Sequence, residues 1–195
     1  MSATRIAPLA EPLSEPLASQ MRKLVPQGMP APALFLSVAR NAGLFAFMVE
    51  SGLIGPTGLF DRRAIPKDLR ETIILRTCVA ARNDYEFNLH VQTISARMGL
   101  SEAQIADIRC SQADPALWRA DQFAVMALVD ALVQTLRVPD DLYAAIRQHF
   151  SEEALIEITH LTGLYTGVAM LVGLIRPRFD EYGASRTGRA VPSGA

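Results

Sequence analysis

Cysteine is scarce in this chain: Cys78 and Cys110, 32 residues apart, supply neither a Cys-x-x-Cys pair nor a thiolate metal cluster. A structural disulfide is not expected either, because the chain reads as cytoplasmic, where thiols stay reduced. Charge of one sign is also lacking. Lys and Arg number 19 against 20 Asp and Glu, so no basic field gathers nucleic acid or an anionic membrane. The first 20 residues have no apolar core behind a basic end, which excludes a secretory-signal pattern there. No segment alternates with a period of two, and no internal repeat is evident. The longest apolar stretch, Leu161 to Ile175, is broken by Thr162, Gly163, Thr166, Gly167 and Gly173, so it reads as a buried helix too short to span a bilayer.

What is present is a hydrophobic half, 50% of positions, with 20% charged, enough for one core in one domain. Six of the 12 prolines fall between Pro8 and Pro32, so residues 1–32 read as an extended arm. From Ala33 to Leu53 an apolar pattern predicts one helix kinked at Gly43, or two short helices split there. Pro66 suits the first turn of a helix bearing Leu69, Ile73, Ile74, Leu75 and Val79. Phe87, Val91, Ile94 and Met98 give another, with Gly99 just past its end. Ser101 and Gln104 form a capping-box pattern for a short helix reaching Cys110. The run from Phe123 to Leu136 specifies a further helix and Asp140 to Phe150 a shorter one. Ser151 caps a final long helix bearing Leu155, Ile158, Leu161, Leu164 and Val168. The expectation is an all-α, single-domain bundle of six to eight helices over residues 33–179, with a mobile tail over 180–195.

Asn83, Glu86 and His90 are spaced i, i+3 and i+7, which places them on one helical face. His90 is one of three histidines, the side chain whose ordinary pKa of about 6.5 suits proton transfer near neutrality. Glu71 lies 12 residues before Asn83, and a tight turn between the helices could bring it to His90. Plainer roles exist for each. Asn83 suits a helix cap, Glu86 an i, i+4 pair with His90, Glu71 a solvated first-turn carboxylate, and Cys78 a small core residue. Arg76 or Arg82 could orient an acidic substrate, with Tyr85 beside them, although helical arginines are usually solvated. Glu157 and His160 form a single Glu-x-x-His, a weak signal for a metal held with Glu71, Glu86 and His90.

The pattern Leu69-Arg70-Glu71-Thr72-Ile73-Ile74-Leu75, Tyr85-Glu86-Phe87-x-x-His90 and Gly99-Leu100-Ser101-x-x-x-Ile105 resembles the carboxymuconolactone decarboxylase family, which includes alkylhydroperoxidase D-like proteins. The match is close from Leu69 to Cys110, and His160 to Tyr165 resembles the family's closing helix more loosely. The resemblance implies an all-helical homo-oligomer, whether dimer, trimer or hexamer. In the peroxidase branch a Glu, a Cys-x-x-Cys pair and a His form a thiol and proton-relay site. Glu71 and His90 match the family's Glu and His, and the two thiol positions fall on Asn83 and Glu86. Disulfide-based peroxide reduction needs two thiols that can bond, and amide and carboxyl cannot replace them.

The resemblance then implies the decarboxylase branch: cofactor-free acid-base decarboxylation of a small unsaturated carboxylated lactone or similar acid. His90, Glu86 and Glu71 are the expected catalytic residues, and Asn83, Tyr85 and Arg82 the expected substrate contacts. No metal, nucleic acid or membrane partner is expected. Alternatives are peroxidase activity without the usual pair, with Cys78 acting alone, a metal-binding helical enzyme, or a non-catalytic oligomer.

Overall fold

The computed structural model describes residues 3–55 and 65–182. Among these residues ten α-helices and no strand occur, ordered α1 (Leu17–Leu24), α2 (Ala33–Val38), α3 (Ala42–Glu50), α4 (Lys67–Ala80), α5 (Asp84–Thr93), α6 (Ser95–Met98), α7 (Glu102–Asp107), α8 (Ala120–Thr135), α9 (Asp140–Ile146) and α10 (Glu152–Ile175). The all-α expectation holds, with more helices than foreseen.

Helix α4 is the centre of the bundle, and every residue from Leu69 to Cys78 is buried. Leu69, Ile73, Leu75 and Cys78 pack with Val125 and Val129 of α8 and with Ile158 and Leu161 of α10. A helix buried all round can carry polar residues only if each finds a partner. Thr72 donates to the Asp68 carbonyl at 2.9 Å, and Thr77 to the Ile73 carbonyl at 2.7 Å. Arg76 forms a two-point ion pair with Asp130 of α8, at 2.8 and 2.5 Å, and donates to the carbonyls of Ile108 and Cys110 at 2.8 and 2.9 Å. It is a structural clamp. The expectation that Arg76 could orient a substrate is corrected, because its guanidinium is already committed.

The N-terminal arm also departs from expectation. Residues 17–24 form a helix between prolines, and its Met21 packs with Phe45 and Val49 of α3. Upstream, the Arg5 amide donates to the Ile175 carbonyl at 2.9 Å and satisfies an acceptor at the end of α10. The break in the Ala33 to Leu53 pattern falls at residues 39–41, not at Gly43, because Asn41 caps α3 by accepting from the Leu44 amide at 3.1 Å. The helix expected to run through Ile94 divides there into α5 and α6. Ser101 forms the predicted capping box with Gln104, Ser151 caps α10 from its hydroxyl, and Gly99 closes α6 at φ 100°.

The expected mobile tail is pinned at its start. Asp180 accepts from the Ala33 amide at 3.1 Å and from the Tyr85 hydroxyl, while Gln92 donates to the Asp180 carbonyl at 3.1 Å and accepts from the Tyr182 amide at 2.9 Å. Residues 183–195 of that expectation lie outside the described residues. Helix α10 is a second correction. It is long and apolar enough to cross a membrane by composition alone, yet only 28% of its most apolar window is buried, so it is not the enclosed helix its sequence suggested.

Candidate active site

Helices α4 and α5 are joined by three residues, with Arg82 in the left-handed region at φ 55° and the Asn83 amide donating to the Cys78 carbonyl at 2.7 Å. This tight reversal lays α5 against α4. Asn83 caps α5 by accepting from the Glu86 amide at 3.2 Å, which fixes the register of Glu86 and His90 on the face turned toward α4.

His90, 4% exposed, meets Glu71, 1% exposed, across that interface. Its Nδ1 lies 3.0 and 3.2 Å from the two Glu71 oxygens. Nε2 lies 3.2 Å from the Tyr165 hydroxyl on α10 and 3.5 Å from a Glu86 oxygen. Ser95, released from the line of α5 by the break at Ile94, donates to Glu71 at 2.6 Å. Three helices and the start of a fourth thus converge on one imidazole.

The electrostatics follow from burial opposed by close charges. Burial drives His90 toward its neutral form, but the Glu71 charge and the hydrogen bonds to Glu71 and Glu86 outweigh it and raise its pKa to about 10. Burial likewise raises the Glu71 carboxyl, yet the imidazolium and the His90 and Ser95 hydrogen bonds overcome this and leave it below its ordinary value. The buried Arg70 adds a smaller effect of the same sign. The pair is therefore carboxylate and imidazolium near neutrality. Burial, with Glu86 and Glu71 nearby, pushes the Cys78 thiol well up and keeps it protonated. The Tyr165 hydroxyl is pushed up by the same causes.

Two polar atoms on α5 and its cap are buried without a hydrogen-bond partner, the Asn83 amide nitrogen and one oxygen of Glu86, whose other oxygen lies 3.5 Å from His90 Nε2. One can only donate. The other is a carboxyl oxygen, and an unmatched buried group of this kind costs about 1–3 kcal/mol. Such a pair is suited to a molecule that offers both an acceptor and a donor.

Of the residues singled out in the sequence, the structure brings together Glu71, Glu86 and His90, with Asn83 capping the helix that carries the last two. It does not bring Tyr85 or Arg82 to them. Tyr85 turns to the opposite side of α5, accepting from the Leu34 amide at 3.1 Å and donating to Asp180, while Arg82 is exposed at the α4–α5 corner. Tyr85 is thus held in hydrogen bonds that tie α2 and the C-terminal segment to α5, and Arg82 lies on the surface. Glu157 and His160 stay outside the cluster as well, with His160 exposed on the outer side of α10. Ser95 and Tyr165 escaped sequence reading. Their spacing from Glu71 and His90, 24 and 75 residues, carries no local pattern, and the only trace was Tyr165's place in the closing-helix segment.

These features define an all-helical protein of the alkylhydroperoxidase D-like fold with a buried Glu–His pair and no paired thiols. Residues 56–131 match the model of the carboxymuconolactone decarboxylase family. No curated protein matches the chain in sequence. Among solved structures, the debrominase Bmp8 is 17% identical with a TM-score of 0.75, covering 91% of this chain and 93% of its own. The same debrominase has been solved with 2,3,4-tribromopyrrole, at 18% identity and a TM-score of 0.73 over 91% and 92% of the two chains. An alkylhydroperoxidase AhpD core, an uncharacterized peroxidase-related protein from Ralstonia eutropha JMP134, is 18% identical with a TM-score of 0.73 over 92% of this chain and 95% of that one. At these identities the likeness is one of fold.

Proposed function

We propose that this chain catalyses proton transfer, with His90 as the acid, in the decarboxylation of a small unsaturated carboxylated lactone or a similar acid. The observation that carries this reading is the buried, protonated His90 held between Glu71 and Tyr165, on a helix whose Glu86 and whose cap Asn83 each keep an unmatched buried polar atom.

The substrate's conjugated carbonyl oxygen accepts from the Asn83 amide, where negative charge accumulates as the carbon–carbon bond breaks. The bonding pair passes into the conjugated system and carbon dioxide leaves. The His90 imidazolium gives its proton to carbon, and Glu71 holds the ring in position while it does so. Solvent then returns the proton. The Glu71 carboxylate and the dry surroundings disfavour a charged substrate carboxylate and favour its loss. The scheme balances without a cofactor. Two free cysteines, one buried and one exposed, fit a reducing cytoplasmic setting.

The disulfide route of the peroxidase branch gains no support here, since Asn83 and Glu86 stand at its thiol positions and Cys78 stays protonated. Carbon dioxide release from a panel of unsaturated lactone acids tests the proposal. Turnover by the parent and a loss of about 10²–10⁴-fold in His90→Gln, at unchanged helicity, are expected. No turnover on any member of the panel, or full turnover in the variant, overturns it.

A further inference from the structure

The outer face of α10 is built for a partner. Ile156, His160, Gly163, Gly167, Met170 and Leu174 recur at spacings of four and three, a heptad seam on the side of the helix opposite Tyr165. Ile156, Met170 and Leu174 are 61%, 71% and 55% exposed, and nothing lies within 4 Å of a Cβ placed at Gly163 or Gly167. From Ile158 to Ile175 no residue is charged. Charge returns only at the ends, with Glu152 and Glu153 at the start and the exposed Arg176 and Arg178 just beyond the finish.

We infer that this seam pairs with α10 of a second copy of the chain, antiparallel about a two-fold axis that passes between the two helices at the level of position 165. The direction follows from charge. A parallel pair would set acid against acid and Arg against Arg, whereas the antiparallel pair brings each acidic start to the partner's basic finish and opposes the two helix dipoles. The register follows from the spacing, because the seam is symmetric about position 165. Gly163 meets the partner's Gly167, His160 meets the partner's Met170, Ile156 meets the partner's Leu174, and Glu152 lies toward the partner's Arg178. The glycines at the crossing permit axes near the close end of the usual range of about 8–10 Å.

A surface groove of about 470 Å³ strengthens the match. It is lined by Tyr143, Glu152, Leu155, Ile156, Thr159 and His160. In this register it lies beneath the partner's Met170 and the partner's Leu174, two large exposed apolar side chains, and the symmetry repeats the fit on the other copy. Glu152 pairs with Arg147 at 3.6 Å and stands exposed at the groove's end. The pairing would also brace the helix that carries Tyr165 to His90.

Cross-linking between two variants, each with one exposed cysteine beside the buried Cys78, tests direction and register together. In a Cys110→Ser background, His160→Cys and Met170→Cys proteins are purified separately, mixed, and exposed to mild oxidant. Efficient disulfide formation in the mixture, with at most one-tenth as much in either protein alone, is the expected result. Equal self-linking by each variant means a parallel seam and overturns the inference, as does the absence of cross-links in all three samples. Sedimentation of the unmodified full chain at micromolar concentration gives a second readout. A dimer or a larger even assembly is expected, reduced to half its mass by Gly167→Glu. A monomer that binds neutral phosphatidylcholine vesicles through α10 would assign the seam to lipid and overturn the proposal, and a monomer that binds none overturns it equally.

Discussion

Replacing Glu71 with Gln removes one charge and almost no volume at the most enclosed point of the site. The largest upward influence on His90 is the Glu71 charge, so its loss lets burial dominate and drives the imidazole pKa down from about 10. At about pH 8.5 an imidazole of that pKa is about 97% protonated, whereas one returned to the ordinary value of 6.5 is about 1% protonated. A reaction that draws its proton from His90 should therefore slow by up to about 100-fold at that pH and recover most of its rate near about pH 6. Glu86 remains 3.5 Å from Nε2 and limits the fall. An NMR titration of the His90 ring in parent and variant measures the shift directly, and the pH profile of turnover measures its consequence. A variant whose His90 still titrates near 10 would refute the reasoning, since the carboxylate would then not be what holds the proton.

The same pair makes stability depend on pH. His90 has a raised pKa, so its contribution is complete below about 6.5 and is lost as pH climbs through about 10; Glu71 has a lowered one, so its contribution is complete above about 4.5 and is lost as pH falls through the folded value. The urea midpoint should peak between those two ordinary values and decline steadily toward alkaline pH, and a flat alkaline limb would contradict the ion pair. Ser95→Ala should cost about 1–3 kcal/mol in urea denaturation, because it strips a donor from a buried carboxylate. Arg76→Met should cost about 3 kcal/mol by leaving Asp130 and two carbonyls unmatched, while the His90 titration stays in place; a displaced His90 pKa would show that the clamp and the site are coupled. Tyr85→Phe should speed hydrogen exchange at Leu34 and proteolysis of the C-terminal segment without lowering turnover, and a lost activity would return Tyr85 to the site.

Much of the helical architecture was legible because caps and periodicity act within a few residues. Asn83 shows how local reading can be right and incomplete. Its oxygen caps α5 as its residue type predicts, while its amide nitrogen is enclosed by the fold without a partner, which no local pattern foretells. Tyr85 shows the opposite case: adjacent to Glu86 in sequence, it points across the helix to Leu34 and Asp180, since neighbours on a helix face different directions. The apolar content of α10 suggested burial, but composition does not say which face meets the core and which is left exposed.

The sequence by itself determined that the chain is helical, where Ser101 and Ser151 start their helices, and that Glu86 and His90 share a face, because backbone sterics, capping and the 3.6-residue turn are local properties. Tertiary structure alone decided that Glu71, Ser95 and Tyr165 meet at His90 and that Arg76 and Tyr85 are consumed by structural bonds. Those meetings depend on how α4, α5 and α10 cross. Crossing is set by the summed packing of buried side chains far apart in the chain, and it alone sets the Glu71 carboxylate against His90, where its charge holds the proton against the pull of burial.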